Sequence, residues 1–434
     1  MADSYRVRSL KKPAQWTVEV PGSKSITNRA LLLSALCKGH VYLHGVLFSD
    51  DSRHFLSSLQ SLGYDVRIDE GQHTVELEGC GGVLPVQAGS IHVGSAGTAA
   101  RFLTAMLGVS EGTFVINASE QMQKRPMQPL FEALISLGAS AEWLGEAWHL
   151  PVRITGAGAQ IRSLEQKAVL NLDISTSTQF LSAFLLIAPM FPHGIRIHIT
   201  SEKKDGSYIR ITRKMMQEFG VEAGFDGCDY TVAPFDGYQK TEYQIEPDVS
   251  GACYFYAAAA MSGGSAKVKH VHWDSMQGDM KFLKLLEQMG CSLTEEADGI
   301  RLTGPVDGLK GLEVNMNDFS DQALTLAAIA PYASSSAKIT HVGHIRGQEC
   351  DRLHAIVTNL RNAGITCEEG DDWVCIHPGK PQPCKIETFE DHRVAMAFAV
   401  MGLGAEGIEI LNPGCCKKTF ENFFEVLDGL LNKQ

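Results

Sequence analysis

Along the chain, apolar residues gather in six Ala-rich stretches, each behind a lead-in of Gly, Ser, Thr or Asp. The stretches begin near Ala30, Phe102, Phe180, Tyr254, Leu324 and Ala395, at successive spacings of 72, 78, 74, 70 and 71 residues. A stretch that is apolar on every side predicts a buried helix. Between 33 and 40 residues after each start comes an amphipathic segment ending in glycine: Gly63, Gly138, Gly220, Gly290, Gly364 and, more weakly, Gly429. Glycine there fits a left-handed helix cap. Short alternating stretches follow most of these ends, at 65–68, 140–143, 221–225 and 366–369, and read as strands.

The repeating unit is therefore a buried helix, a strand, an amphipathic helix and further strands. Six copies account for nearly the whole chain, a repeat that need not form an open solenoid. The fold class expected is α/β (α+β in its mixed sheets), with helices inside and sheet around them. A domain boundary is expected near 243–247, between the third and fourth units.

Net charge of −12 argues against a nucleic-acid-binding surface. It leaves room for anionic ligands, because a few cations focused in a cleft can hold phosphates inside an acidic protein. The 11 cysteines are odd in number and form no C-x-x-C pair, which points to a reduced cytosolic compartment. The opening MADSYRVRSLKK has no apolar core of a secretory signal, and the longest apolar run, 180–191, is too short to span a bilayer. A soluble cytoplasmic protein, not bound to membrane, is expected.

The polar chemistry sits in the lead-ins. A helix N-terminus exposes free N–H groups and the positive end of its dipole, so it favours anions. The first lead-in, residues 21–29, reads P-G-S-K-S-I-T-N-R and offers Lys24, Ser25 and Arg29; Lys24 and Arg29 could bracket a carboxylate or phosphate. The second, 93–101, lets backbone approach a ligand at Gly94 and Gly97. Arg125 precedes Pro126, where a helix is expected to start; a cation there opposes the dipole and hints at an anionic ligand. The third, 175–179, is a run of hydroxyls closed by Gln179. Asp321, Glu349 and the arginines of R-G-Q-E-C-D-R and E-D-H-R put two carboxylates in a field of cations, the composition that acid and base catalysis needs. Lys417 and Lys418 follow near the end. No P-loop, zinc spacing or G-x-S-x-G elbow occurs, so nucleotide hydrolysis, metal and serine-hydrolase chemistry have no support.

In this order, P-G-S-K-S-x-x-N-R-A-L, G-x-A-G-T-A-x-R, R-P-M, S-x-S-x-Q-F, E-x-D-R, D-H-R-x-A-M and K-T-F closely resemble the 5-enolpyruvylshikimate-3-phosphate synthases across essentially the whole chain. The resemblance implies two similar domains of three repeats each, an inside-out α/β barrel arrangement closing over the substrates. The domains implied are 22–245, mainly for shikimate 3-phosphate, and 1–21 with 246–434, carrying the acid/base residues and part of the phosphoenolpyruvate site. It implies transfer of the enolpyruvyl group of phosphoenolpyruvate to the 5-hydroxyl of shikimate 3-phosphate. The enzyme is implied to need neither cofactor nor metal and no nucleic acid, and to be a monomer.

Carried over motif by motif, Lys24, Gly97, Arg125, Gln179, Arg352, Arg393 and Lys418 would hold phosphoenolpyruvate. Lys24, Ser25, Arg29, Ser177, Thr178, Gln179, Tyr208, Asp321, His344 and Gln348 would hold shikimate 3-phosphate. Asp321 would accept the hydroxyl proton, and Glu349 with Lys24 would manage protonation at the methylene carbon. The chain departs from the family pattern at Gln348, usually lysine; Ser95 and His344, often asparagine; and Asp205, near the expected substrate phosphate. Gly97 implies sensitivity to glyphosate, which Phe102 weakens, since many sensitive members carry proline there.

Two other readings compete. The related transferase acting on a UDP-sugar typically has a reactive cysteine before the R-P segment, and residues 117–125 contain none. A silent, anion-binding relative is suggested by Gln348 and Asp205, but opposed by the presence of both Asp321 and Glu349.

Overall fold

The helices expected to be buried owe their place to small and apolar side chains on every face. In a computed structural model that describes residues 4–433, they are Lys24–Leu36, Gly97–Val109, Gln179–Leu186, Val249–Ser262, Ala323–Ile329 and His392–Leu403. Every residue of Gly97–Val109 and of His392–Leu403 is buried, Arg101 and Arg393 included. Alanine and glycine let such helices approach closely, and the first three pack on one another, as do the last three.

Around them the described residues form six sheets, five of four strands and one of three. Each contains a parallel pair, of the kind that needs a crossover helix between its strands. Four pairs flank a buried helix directly, as Ala88–His92 and Thr113–Asn117 flank Gly97–Val109. The other two are closed by distant segments. Lys38–His44 pairs with Glu242–Gln244, and Ser265–Lys269 pairs with Gln15–Val18. This closure divides the chain into two compact units, Gly22–Ile245 and the residues up to Pro21 together with those from Glu246 onward.

The amphipathic helices Asp50–Ser61, Gln128–Ser136, Ser207–Glu218, Met280–Gln288 and Arg352–Asn362 are each followed by glycine with positive φ: 84° at Gly63, 104° at Gly138, 90° at Gly220, 109° at Gly290 and 73° at Gly364. The sixth is different. Gly429 lies inside the helix Phe423–Leu431, because the apolar face runs on through buried Leu430. The helix expected at Pro126 starts later, at Gln128, with proline in its first turn. No described helix is long and apolar enough to cross a membrane.

Candidate active site

In the unit from Glu246 onward, the charged groups gather at the starts of the buried helices Ala323–Ile329 and His392–Leu403 and of the amphipathic helix Arg352–Asn362. Arg352, at the first position of its helix and almost fully buried, uses its whole guanidinium fork. Nε donates to Asp391 Oδ2 at 2.7 Å, Nη1 to Asp321 Oδ1 at 2.8 Å and to Gln348 Oε1, and Nη2 to Glu349 Oε2 at 3.0 Å and Asp391 Oδ1 at 3.4 Å. Planar donors at fixed angles suit several carboxylates at once in a way an ammonium does not. Arg393 lies 3.0 Å from the other oxygen of Asp321, and Lys418 lies 3.2 Å from the other oxygen of Glu349.

Three cations thus face three carboxylates in a largely dry site. Burial acts to lower the pKa of Arg352, but the charges of Asp391, Glu349 and Asp321 outweigh it and raise the pKa above its ordinary value, with Arg393 opposing them. Gln348 supplies an acceptor to Arg352, where a lysine would set a second cation against it. His344 is tied in through Ser320, whose hydroxyl lies 2.8 Å from His344 Nε2.

Asp391 was not among the expected site residues. It caps the helix His392–Leu403 by accepting from Arg393 N at 2.8 Å, and its side chain is wholly buried. The two residues before it, Phe389 and Glu390, both take left-handed backbone, φ 50° and 57°. Such conformations cost on the order of 1–3 kcal/mol each in non-glycine residues and mark segments held by their surroundings.

In the unit Gly22–Ile245, the helix starts are also linked. Asn28 donates to Thr98 Oγ1 at 2.5 Å, and Arg101 Nη1 to Gln179 Oε1 at 3.0 Å. The second bond turns the NH₂ of Gln179 away from Arg101. Gly97 carries no side chain where two guanidiniums occupy the space over it. A Cβ there would stand 2.6 Å from Arg101 Nη1 and 2.7 Å from Arg125 Nη1. Arg125 Nε is buried with no hydrogen-bond partner, so an anion would satisfy it. Lys24 Nζ lies 3.5 Å from Asp51, a buried carboxylate in the first turn of Asp50–Ser61.

Arg29 corrects one expectation. It does not bracket open space with Lys24: five residues apart on a helix, the two point about 140° apart. Its guanidinium is fully buried, giving Nε to Thr212 Oγ1 at 2.8 Å, Nη1 to Ser25 O at 2.9 Å, and Nη2 to Tyr208 O at 3.1 Å and Ser182 Oγ at 3.3 Å. Burial lowers its pKa to about 10. Phe102 packs its ring 5.4 Å from this guanidinium.

Ser177 accepts from Gln179 N at 3.3 Å, and Thr178 lies against the backbone at Gly206. Asp205 is neutralised by Arg210 at 2.8 Å and bonded by Tyr230. Lys203, whose stem also approaches Gly206, is a further cation here, outside the expected site residues. Among the described residues, no His, Cys, Asp and Glu cluster suits a metal ion.

The family model described as EPSP synthase (3-phosphoshikimate 1-carboxyvinyltransferase) matches residues 10–427. The chain is 40% identical over 423 residues to a 3-phosphoshikimate 1-carboxyvinyltransferase of Nostoc punctiforme, covering 97% of this chain and 98% of that one. It is 39% identical over 420 residues to the protein of that name from Pasteurella multocida, with 94% and 93% covered. Among solved structures, an EPSP synthase from Acinetobacter baumannii superposes with a TM-score of 0.81 at 25% identity, covering 99% and 98% of the two chains. The enolpyruvyl transferase NikO from Streptomyces tendae, 14% identical with a TM-score of 0.73 over 98% and 97%, shares the fold.

Proposed function

We propose that this chain, which belongs to the EPSP synthase family, transfers the enolpyruvyl group of phosphoenolpyruvate to the 5-hydroxyl of shikimate 3-phosphate. The observation that carries the reading is the Asp321–Arg352–Glu349 cluster with Arg393 and Lys418, two carboxylates held by cations that an anionic ligand would also seek.

The chemistry needs a base, an acid and anion binding. The hydroxyl oxygen adds to C2 of phosphoenolpyruvate and gives its proton to Asp321, while a proton is delivered to the methylene carbon, which becomes methyl. The tetrahedral adduct then loses phosphate as that methyl group gives a proton back, leaving the enol ether. Glu349, with Lys24, handles the proton at carbon. Arg352 spends its donors on Asp321, Glu349, Asp391 and Gln348, and Arg393 is paired with Asp321, while the buried ammonium of Lys418 lies 3.2 Å from Glu349 without a hydrogen bond. An arriving phosphate or carboxylate competes for those donors and loosens the two acids when they are needed.

Lys24, Gly97, Arg125 and Gln179 are the further contacts proposed for phosphoenolpyruvate. Lys24, Ser25, Arg29, Ser177, Thr178, Gln179, Tyr208, Asp321, His344 and Gln348 are those for shikimate 3-phosphate, with the unit Gly22–Ile245 supplying most of them. Gln348 would act through its amide NH₂, since its oxygen is held by Arg352. Free thiols at all 11 cysteines support a cytoplasmic setting, and a monomer is the assembly proposed. Carbon NMR with phosphoenolpyruvate labelled at C2 tests the reaction. A signal of an enol ether joined to the 5-oxygen supports it, and label found only in phosphoenolpyruvate or pyruvate refutes it.

A further inference from the structure

Asp279 stands at the N-cap position before Met280–Gln288, yet its side chain makes no capping bond. Its backbone is already helical, φ −67° and ψ −11°, so the side chain is not set to cap. Here the carboxylate is buried and engaged elsewhere. Ser250 donates its hydroxyl proton to Oδ2, and Gln322 Nε2 donates to the same oxygen at 3.3 Å. Thr325 Oγ1 donates to Gln322 Oε1 at 2.9 Å, which fixes that amide with its NH₂ toward Asp279. The hydrogen-bond partners of Asp279 are therefore a neutral hydroxyl and a neutral amide. A buried carboxylate whose hydrogen bonds come only from neutral groups is costly, and the nearby charge of Arg393 offsets part of that cost.

Both partners lead into the charged cluster. Gln322 directly follows Asp321 in the short 3-10 helix Ser320–Gln322. Ser250 has one proton, which it gives to Asp279, so its oxygen is left to accept from Arg393 Nη2 at 3.5 Å. Arg393 in turn holds Asp321. The chain of donors runs one way, from Arg393 to Ser250 to Asp279, and a second arm returns through Gln322 to the residue beside Asp321.

We infer that Asp279 is a positioning residue that orients Arg393 through Ser250 and braces Asp321 through Gln322, and so sets the affinity for phosphoenolpyruvate. This rests on the function proposed above. The test is steady-state phosphate release by the full chain and by Ser250→Ala, Asp279→Ala, Asp279→Asn and the Ser250→Ala/Asp279→Ala double variant, with each substrate varied in turn. Ser250→Ala and Asp279→Ala should each raise KM for phosphoenolpyruvate about tenfold and leave KM for shikimate 3-phosphate within about twofold. The double variant should be no worse than Asp279→Ala, because Ser250 is the step by which Asp279 reaches Arg393. Asp279→Asn, which keeps an acceptor for Ser250, should recover most of the loss.

Ser250→Ala removes only a hydroxyl, so it remains informative if the Asp279 variants fold poorly. An unchanged KM for phosphoenolpyruvate in Ser250→Ala, or single effects that add in the double variant, would overturn the inference. Absence of turnover in the parent protein would instead refute the function on which it rests.

Discussion

Replacing Gly97 by alanine separates folding from ligand binding at one methyl group. The position opens the helix Gly97–Val109 and carries no positive φ, so alanine fits the backbone. Gly→Ala at a compatible site stabilises by about 0.4–1 kcal/mol. In a unit of this size that raises the unfolding midpoint by about 1–4 °C. The new Cβ, however, would meet the guanidinium ends of Arg101 and Arg125 at 2.6 and 2.7 Å. Real Cβ atoms do not sit so close, so those flexible ends must move. If Arg125 binds phosphoenolpyruvate, displacing one charge-assisted bond costs about 1.5–3 kcal/mol, a factor of about 10 to 150 in affinity. The assay is KM for each substrate beside a thermal melt. The expected result is a large rise in KM for phosphoenolpyruvate, little change for shikimate 3-phosphate and an unchanged or higher midpoint. A variant with unaltered KM for phosphoenolpyruvate would refute the placement of Arg125 at that ligand, and a fallen midpoint would refute the packing argument.

Asp321→Asn should lower kcat by about 10²–10⁴ with substrate binding largely kept, read by turnover and equilibrium titration. Arg352→Leu removes the partner of three carboxylates, one wholly buried, and should destabilise by about 3–5 kcal/mol; Arg352→Lys keeps the charge without the fork and should fall between, as denaturant titration would show. Burial, then the nearby charge of Asp321, raises the pKa of Asp279 to about 6, while Arg393 and the Ser250 bond oppose the shift and Asp248 adds to it. The native state then holds this proton more tightly than the unfolded chain, so the stabilising contribution is complete below about pH 4 and is lost as pH rises through about 6. Midpoints of Asp279→Asn should gain on the parent between those values, and parallel curves would count against the shift. Glyphosate should inhibit competitively with phosphoenolpyruvate, and less well in Gly97→Ala; inhibition indifferent to phosphoenolpyruvate would contradict this.

The repeat was legible because its signals are local. Helices apolar on every side, such as Gly97–Val109, and glycines forced to positive φ at Gly63 or Gly290 announce themselves within a few residues. Gly429 misled because glycine alone does not end a helix when the apolar face continues beyond it. The acid–arginine cluster was legible as residue types in motifs, and its geometry was not. Nothing local reveals that one arginine would face Asp321, Glu349 and Asp391 together. Asp391 and Asp51 were missed because an aspartate at a helix start reads as an ordinary cap or first-turn acid. Asp279 reads the same way, and its partners Ser250 and Gln322 lie 29 and 43 residues away in sequence. Closeness in sequence does not bring Arg29 to Lys24, because five residues along a helix set the two side chains on different faces.

Phosphate release from the purified protein, given phosphoenolpyruvate with either shikimate 3-phosphate or UDP-N-acetylglucosamine as acceptor, tests the proposed function most directly. Release that requires shikimate 3-phosphate and is absent with the UDP-sugar is the expected result. Release with the UDP-sugar alone, or none with either acceptor from folded protein, would contradict it.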